Sequence, residues 1–243
     1  MEAIKTENLT KKYGEITALD GLSLTVAQGE MLALLGVNGA GKTTAIKLLS
    51  CLTAPTVGEA WLGGHSILEN AQEVKRVIGV SPQETAVAKK LSVRENLQFM
   101  AEVHGFEKQE ALKRVDKTLA ELGLADVAAQ RAGTLSGGWQ RRLSIAMALI
   151  GEPQILFLDE PTLGLDVIAR HELWEQIKAL KGKITVILTT HYLEEAEQLC
   201  DRVAILARGK LITHGTVSEI KALAGCERFE DAFVTLSNKG VSQ

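Results

Sequence analysis

Gly36-Val37-Asn38-Gly39-Ala40-Gly41-Lys42-Thr43-Thr44 is the stretch that decides how this chain folds. It fits the pattern G-x-x-x-x-G-K-[ST]: glycine-rich turns let consecutive backbone N–H groups converge on phosphates, a lysine reaches the β and γ oxygens, and a hydroxyl is placed for Mg²⁺. Lys42 and Thr43 fill the last two roles. The residues before it, Glu30-Met31-Leu32-Ala33-Leu34-Leu35, have the apolar density of a buried strand, and a helix is expected to start near Lys42. A helix N-terminus carries unpaired N–H groups and a partial positive charge, so strand, loop and helix together imply a nucleoside triphosphate with magnesium. They leave open which of many phosphate-loop machines this is.

Outward from the loop, residues 4–26 read as short strands broken at Gly14 and Gly21, which predicts an antiparallel β patch. Between about residues 84 and 149 the period changes: Leu112, Val115, Leu119 and Leu122 recur at helical spacing, so a helical insertion is expected. Parallel-strand signals return at residues 155–158, 185–189 and 202–206, with a helix expected over about 168–180. Arg208-Gly209-Lys210 predicts a hairpin into Leu211-Ile212-Thr213. The expected fold class is therefore α/β, a mainly parallel sheet with an N-terminal antiparallel patch and a helical lobe. The nucleotide-binding core spans about 1–83 and 150–225, the lobe about 84–149, and a short C-terminal tail 226–243.

Composition narrows the class. The chain has 243 residues, 46% of them hydrophobic and 23% charged, enough to bury a substantial core. Apolar runs such as Ile145-Ala146-Met147-Ala148-Leu149-Ile150 fall far short of the roughly 20 residues that span a bilayer. The polar start, without an apolar signal core, points to the cytoplasm. Net charge −3 and 4% aromatic residues argue against a nucleic-acid surface. The basic pairs Lys11-Lys12, Lys89-Lys90 and Arg141-Arg142 are read as solvated faces. Cys51, Cys200 and Cys226 suggest neither a disulfide framework nor a zinc site.

Asp159 and Glu160 follow the strand 155–158, and an acidic pair at the carboxyl end of a parallel strand sits beside the phosphate-loop mouth in such sheets. Asp159 is expected to hold Mg²⁺ and Glu160 to accept a proton from, or orient, the water that attacks the γ-phosphate. In Leu135-Ser136-Gly137-Gly138-Trp139-Gln140-Arg141-Arg142-Leu143, Ser136 is placed to cap a second helix, whose Leu143, Ala146, Met147 and Ile150 share one face.

With that segment the chain resembles the ATP-binding cassette ATPases, whose signature motif has this form. The resemblance spans nearly the whole length, and its motifs fall in family order. Tyr13 is the adenine-stacking aromatic, Gly36 to Thr44 the phosphate loop, Gln83 the glutamine loop, Leu135 to Gln140 the signature, Asp159-Glu160-Pro161-Thr162 the acidic pair, Leu163-Gly164-Leu165-Asp166 the dimer-facing aspartate loop and His191 the switch histidine. The family implies two cassettes, each nucleotide clamped between the phosphate loop of one and Ser136, Gly137 and Gly138 of the other. Gln83 is placed to reach Mg²⁺ and the attacking water, and His191 to sense the γ-phosphate. Trp139 departs from the residues common at its position; stacking on the opposing ribose or the neighbouring loop and plain packing are both open readings, packing the preferred one.

What the resemblance implies is an ATP-hydrolysing subunit that works beneath separate transmembrane permease subunits, paired with a second cassette, expectedly a copy of itself. Residues 190–201 and Phe229-Glu230-Asp231-Ala232-Phe233 look like the drug, lipid and sodium efflux branch, hence an exporter at the inner face of the membrane. A soluble cassette acting on a protein or nucleoprotein assembly is the alternative. The guanine-reading Asn-Lys-x-Asp element is absent from the sequence.

Overall fold

A computed structural model describes residues 1–239. The chain opens with β1 (Glu2–Tyr13), β2 (Ile16–Ala27) and β3 (Met31–Leu35), then α1 (Lys42–Leu49). Next come β4 (Val57–Leu62), β5 (His65–Ser66), α2 (Ala71–Val77) and β6 (Ile78–Ser81). The lobe follows as α3 (Val93–Val103), α4 (Lys108–Glu121), 3₁₀ turns at Ala125–Val127 and Ala132–Thr134, and α5 (Gly137–Leu149). The chain then alternates through β7 (Ile155–Asp159), α6 (Val167–Lys178), β8 (Thr185–Thr190), α7 (Leu193–Leu199) and β9 (Arg202–Ala207). It ends with β10 (Lys210–Gly215), α8 (Val217–Ala224) and α9 (Phe229–Lys239).

Two sheets form, an antiparallel one in the order β2-β1-β4-β5 and a six-stranded one in the order β10-β9-β3-β8-β7-β6. In the second every pair is parallel except the edge pair β10–β9. Its central strands β3, β7 and β8 are buried at every position, as strands covered on both faces must be. Their period of two sorts them between two cores. Met31, Ala33, Leu35, Leu156 and Leu158 pack with the helical side, while Leu32, Leu34, Ile155 and Phe157 pack with the antiparallel sheet and α1. The parallel sheet is thus the middle layer, and its carboxyl ends carry the loops that matter below.

Gly14 opens the two-residue turn between β1 and β2, as expected, but Gly21 does not end a strand. Leu9 pairs with Leu22 and Lys11 with Leu19, so Asp20 and Gly21 together oppose Thr10 in a bulge. Gly21 takes φ +64° there and its N–H donates to Thr10 Oγ1 at 2.9 Å. Hydrogen bonding across the bulge keeps one long strand where the glycine alone suggested two. The three later strands and the β9–β10 hairpin lie where the sequence put them to within a residue or two, while the first helix of the expected insertion begins only at Val93. Within residues 226–239, α9 buries Phe229, Ala232 and Leu236 in the same core as the lobe; residues 240–243 of the expected tail lie outside the described residues. No helix among the described residues is long and apolar enough to cross a membrane.

Candidate functional site

The loop between β3 and α1 wraps the N-terminus of α1. Gly41 is the cap residue at φ +103°, a conformation that strains any side chain, and a Cβ there would meet the Ala18 carbonyl oxygen at 2.7 Å. Since glycine has no side chain to cap with, the first N–H groups of α1 stay available to an anion. Lys42 is buried, and its Nζ donates to Gly36 O at 2.6 Å and lies 3.4 Å from Glu160 Oε1.

Glu160 is the second anchor of the site. Its N–H donates to Thr189 O and to Thr189 Oγ1, which ties the loop after β7 to the end of β8. It sits at φ +49°, the left-handed region that a glutamate occupies only when its surroundings impose it. Its other oxygen, Oε2, is 2.8 Å from His191 Nδ1. Lys42, Glu160 and His191 therefore form one chain of contacts, drawn from the start of α1 and the loops after β7 and β8. Asp159, directly behind, is buried and accepts from Thr189 Oγ1 at 2.5 Å.

These groups face a cavity of about 640 Å³. Val37, Asn38, Gly39, Ala40, Gly41, Lys42, Thr43 and Thr44 line it, together with Gln83, Glu160 and His191. So does Leu163 of the aspartate loop, and so do Ile16, Thr17, Ala18 and Arg208, which carry no motif because the β1–β2 and β9–β10 hairpins reach the cavity only through the fold. Gly36, the residue after β3, and Asp159 lie outside the lining. Tyr13 is half-exposed and not in the wall either; its cross-strand partner Ile16 is, and Lys11 Nζ sits 5.1 Å from the Tyr13 ring centre.

The signature residues are elsewhere. Ser136 does stand at the cap position of α5, but its hydroxyl makes no capping bond, and Ser136 and Gly137 are exposed. Ser136, Gly138 and Trp139 line a separate small recess with Arg142 and Ala169. Asp166 caps α6 by accepting from Ala169 N–H at 2.9 Å, and is exposed as well. Trp139 packs against the core with the Arg142 guanidinium 4.5 Å above its ring, and Arg142 bonds Glu172 of α6 at 2.9 Å.

The reading of Arg141-Arg142 as a solvated pair is overturned. Arg141 is 5% exposed and its guanidinium fork donates to Pro82 O at 2.6 Å and to Gln83 O, which fixes the backbone of Gln83 from the signature helix. Burial lowers its pKa, and the Asp159 charge opposes that. Two arginines in sequence on a helix signal nothing of this; only the approach of α5 to the loop after β6 does.

A cavity with an open helix N-terminus, a buried lysine and a carboxylate–histidine pair, beside a signature surface that takes no part in it, defines a phosphate-loop ATPase of the cassette kind. A family model described as ABC transporter matches residues 19–163, and the chain belongs to that family. It is 42% identical to the daunorubicin resistance ATP-binding protein DrrA3 of Streptomyces coeruleorubidus over 94% of this chain and 72% of that one. To the linearmycin resistance ATP-binding protein LnrL of Bacillus subtilis it is 38% identical, over 99% of this chain and 76% of the other. A solved ATP-binding subunit of an ABC transporter superposes with TM-score 0.86 at 29% identity, covering 97% of this chain and 99% of that one. The dimeric post-hydrolysis state of the cassette MJ0796 bound to ADP and Pi gives TM-score 0.78 at 29% identity, covering 88% and 98%. The chain is thus an ATP-binding, ATP-hydrolysing transporter subunit whose relatives are of the exporter branch, and the reading as a soluble remodelling ATPase falls away.

Proposed function

We propose that this chain drives export by closing with a second copy of itself around ATP, beneath separate membrane-spanning permease subunits at the inner face of the membrane. One observation carries the reading. Lys42, Thr43, Gln83, Glu160 and His191 gather in a single cavity, whereas Ser136, Gly137, Gly138 and Asp166 line no part of it, and Ser136, Gly137 and Asp166 are exposed. Half a site of each kind per chain is what two chains need to complete two sites. The core at about 1–83 and 150–225 would hold the first half and the lobe at about 84–149 the second. Outward transport is supported by relatives named for daunorubicin, linearmycin and doxorubicin resistance and for Nod factor export.

The residues fit a nucleotide with Mg²⁺. Thr43 and Gln83 offer oxygens in the cavity and Asp159 a carboxylate behind it, the hard oxygen set that Mg²⁺ takes, usually with one or two carboxylates, phosphates and water rather than an all-protein cage. When bound, the ion neutralises charge on the phosphates. The chain's own groups do the rest. The α1 N-terminus and Lys42 hold the β and γ oxygens, and Lys42 turns from Glu160 to the phosphates as it does so. Glu160, freed of that cation, accepts a proton from the attacking water or orients it. His191 keeps Glu160 in place through Nδ1, which leaves Nε2 for a γ-phosphate oxygen; Nε2 donates only while it carries a proton. Ser136 and the Gly137-Gly138 pair supply donors to the γ-phosphate of the opposite chain, and Tyr13, at the hairpin beside the cavity, stacks on adenine.

The test is size-exclusion chromatography of Glu160→Gln protein with and without Mg-ATP. A shift from monomer to dimer that reverses on removing ATP is expected. A persistent monomer with confirmed ATP binding would overturn the pairing of two identical chains.

A further inference from the structure

Behind the Glu160–His191 pair lies a carboxylate that none of these roles uses. Glu195, on α7, is 0% exposed. Its Oε1 accepts from Trp174 Nε1 of α6 at 3.2 Å. Its Oε2 has no hydrogen bond, and neither does Oγ1 of Thr162, a residue 1% exposed and two positions after Glu160. No salt bridge reaches Glu195 among the described residues. The Thr190 hydroxyl accepts from Tyr192 N–H at 3.0 Å, so its own proton is left for another acceptor.

Two buried polar atoms without partners, one on α7 and one on the loop after β7, are an anomaly that folded proteins avoid, since each costs a desolvation penalty. A bond between the two removes both, and with no salt bridge at hand the proton can come from the carboxyl. A neutral carboxylic acid carries an O–H donor, and an Oε2–H donating to Thr162 Oγ1 satisfies the acid and the hydroxyl together, while Oε1 goes on accepting from Trp174. An ionised Glu195 could accept from the Thr162 hydroxyl instead, but at 0% exposure and with no salt bridge among the described residues its charge would go without a paired cation. Burial accordingly raises its carboxyl pKa, and the Glu160 charge adds to the rise. The Thr190, Thr162 and Trp174 donors oppose it, the two hydroxyls approaching without a bond of good geometry.

The position gives that bond a consequence. Thr162 belongs to the turn that holds Glu160 at φ +49°, and Glu195 lies four residues after His191. A strained catalytic backbone persists only where its surroundings over-determine it. We propose that Glu195, held as the neutral acid, is a positioning residue for ATP hydrolysis that locks the Glu160 turn to the switch loop through Thr162 and to α6 through Trp174. The charged and titratable groups around it are Glu160 and His191 on the two loops, Arg170 and His171 on α6, where both lie against Trp174, and Cys200 at the end of α7.

This rests on the reading that Glu160 and His191 act on the bound nucleotide, which fails separately if Glu160→Gln keeps its turnover. The test uses the full chain and steady-state ATPase kinetics, with thermal melts from pH 5 to pH 8. Glu195→Ala is expected to lower kcat about tenfold, the scale of a lost buried hydrogen-bond network, with KM for ATP within about twofold. Glu195→Gln, whose amide both accepts from Trp174 and donates to Thr162, is expected to recover most of that loss. The raised pKa means the folded state holds the proton more tightly than the unfolded chain, so this contribution to stability is full at acid pH and is lost as pH rises through the folded value. Glu195→Gln removes the titration, so its melting temperature relative to the unsubstituted protein should rise between pH 5 and pH 8. Should Glu195→Ala not fold, Trp174→Phe, which deletes one donor and keeps a ring, is expected to lower kcat about threefold at unchanged KM. Unchanged kcat in Glu195→Ala or Trp174→Phe, a Gln variant as impaired as Ala, or a melting difference independent of pH would each overturn the proposal.

Discussion

The phosphate loop and the signature both present a helix N-terminus beside glycine, yet the chain finishes one and leaves the other open. At α1, Lys42 is buried between Gly36 O and Glu160, and Glu160 is in turn held by Thr189 and His191. At α5, the Ser136 hydroxyl makes no capping bond and Gly137 beside it is exposed, while Trp139, Arg142 and Glu172 secure only the rear of the helix. A polar group tightly bonded within its own chain has a role there; one held rigidly but left unbonded is ready for something that arrives. The contrast teaches that catalysis and closure are separable in this chain, and substitutions on the two sides should separate them.

The largest effect is expected on the finished side. Glu160→Gln should lower kcat by about a thousandfold, within the range that general-base removal costs, while ATP binding survives. Steady-state phosphate release checks the first and nucleotide titration the second. If turnover fell less than tenfold, Glu160 would not be the base. Lys42→Ala comes next. It deletes a buried cation, strips Glu160 of its charge partner, and removes a charge-assisted contact to phosphate worth about 2 kcal/mol, so ATP should bind roughly thirtyfold more weakly. Calorimetry on the monomer reads this directly, and affinity within threefold would mean that the helix N-terminus alone holds the phosphates.

On the open side, Ser136→Ala should do the opposite. With no bond inside its own chain to lose, the hydroxyl can be removed without affecting the melting temperature or ATP binding by the monomer, whereas kcat in the closed dimer should fall about tenfold for one lost transition-state donor. A drop in monomer affinity equal to that of Lys42→Ala would erase the distinction between the two sides.

The two sides also differ in how far the sequence exposed them. The phosphate loop and the parallel strands are written locally, in glycine spacing and runs of apolar residues; the strands stand where they were expected, and of the acidic pair Glu160 lines the cavity while Asp159 lies behind it. What the sequence hid is what distant segments do to one another. Arg141 looked solvated because nothing near it in sequence shows that Pro82 and Gln83 will offer it carbonyls. Gly21 looked like a strand end because a bulge needs the opposing Thr10 to become visible. Thr17, Ala18 and Arg208 carry no motif and reach the cavity only because the β1–β2 and β9–β10 hairpins converge on it. Tyr13 was assigned by its place in a family pattern, and the wall residue at that hairpin is its partner Ile16.

Trp139 gives the smallest effect and the finest test of the contrast. It occupies a signature position, yet its ring lies under the Arg142 guanidinium at 4.5 Å and packs against the core rather than reaching outward. If it serves only to hold α5 against α6, Trp139→Gln should cost about 1 kcal/mol of stability, the worth of a half-buried cation–π contact with its packing. For a chain of this size that is about 2–4 °C in melting temperature, and kcat should move less than twofold. Arg142→Gln, which breaks the same stack and the bond to Glu172, should lower the melting temperature by a similar amount, and the double variant should cost less than the sum because both remove one interaction. A fall in kcat at unchanged melting temperature would instead put the indole in contact with the opposing chain, and the open side would extend one residue further along the helix.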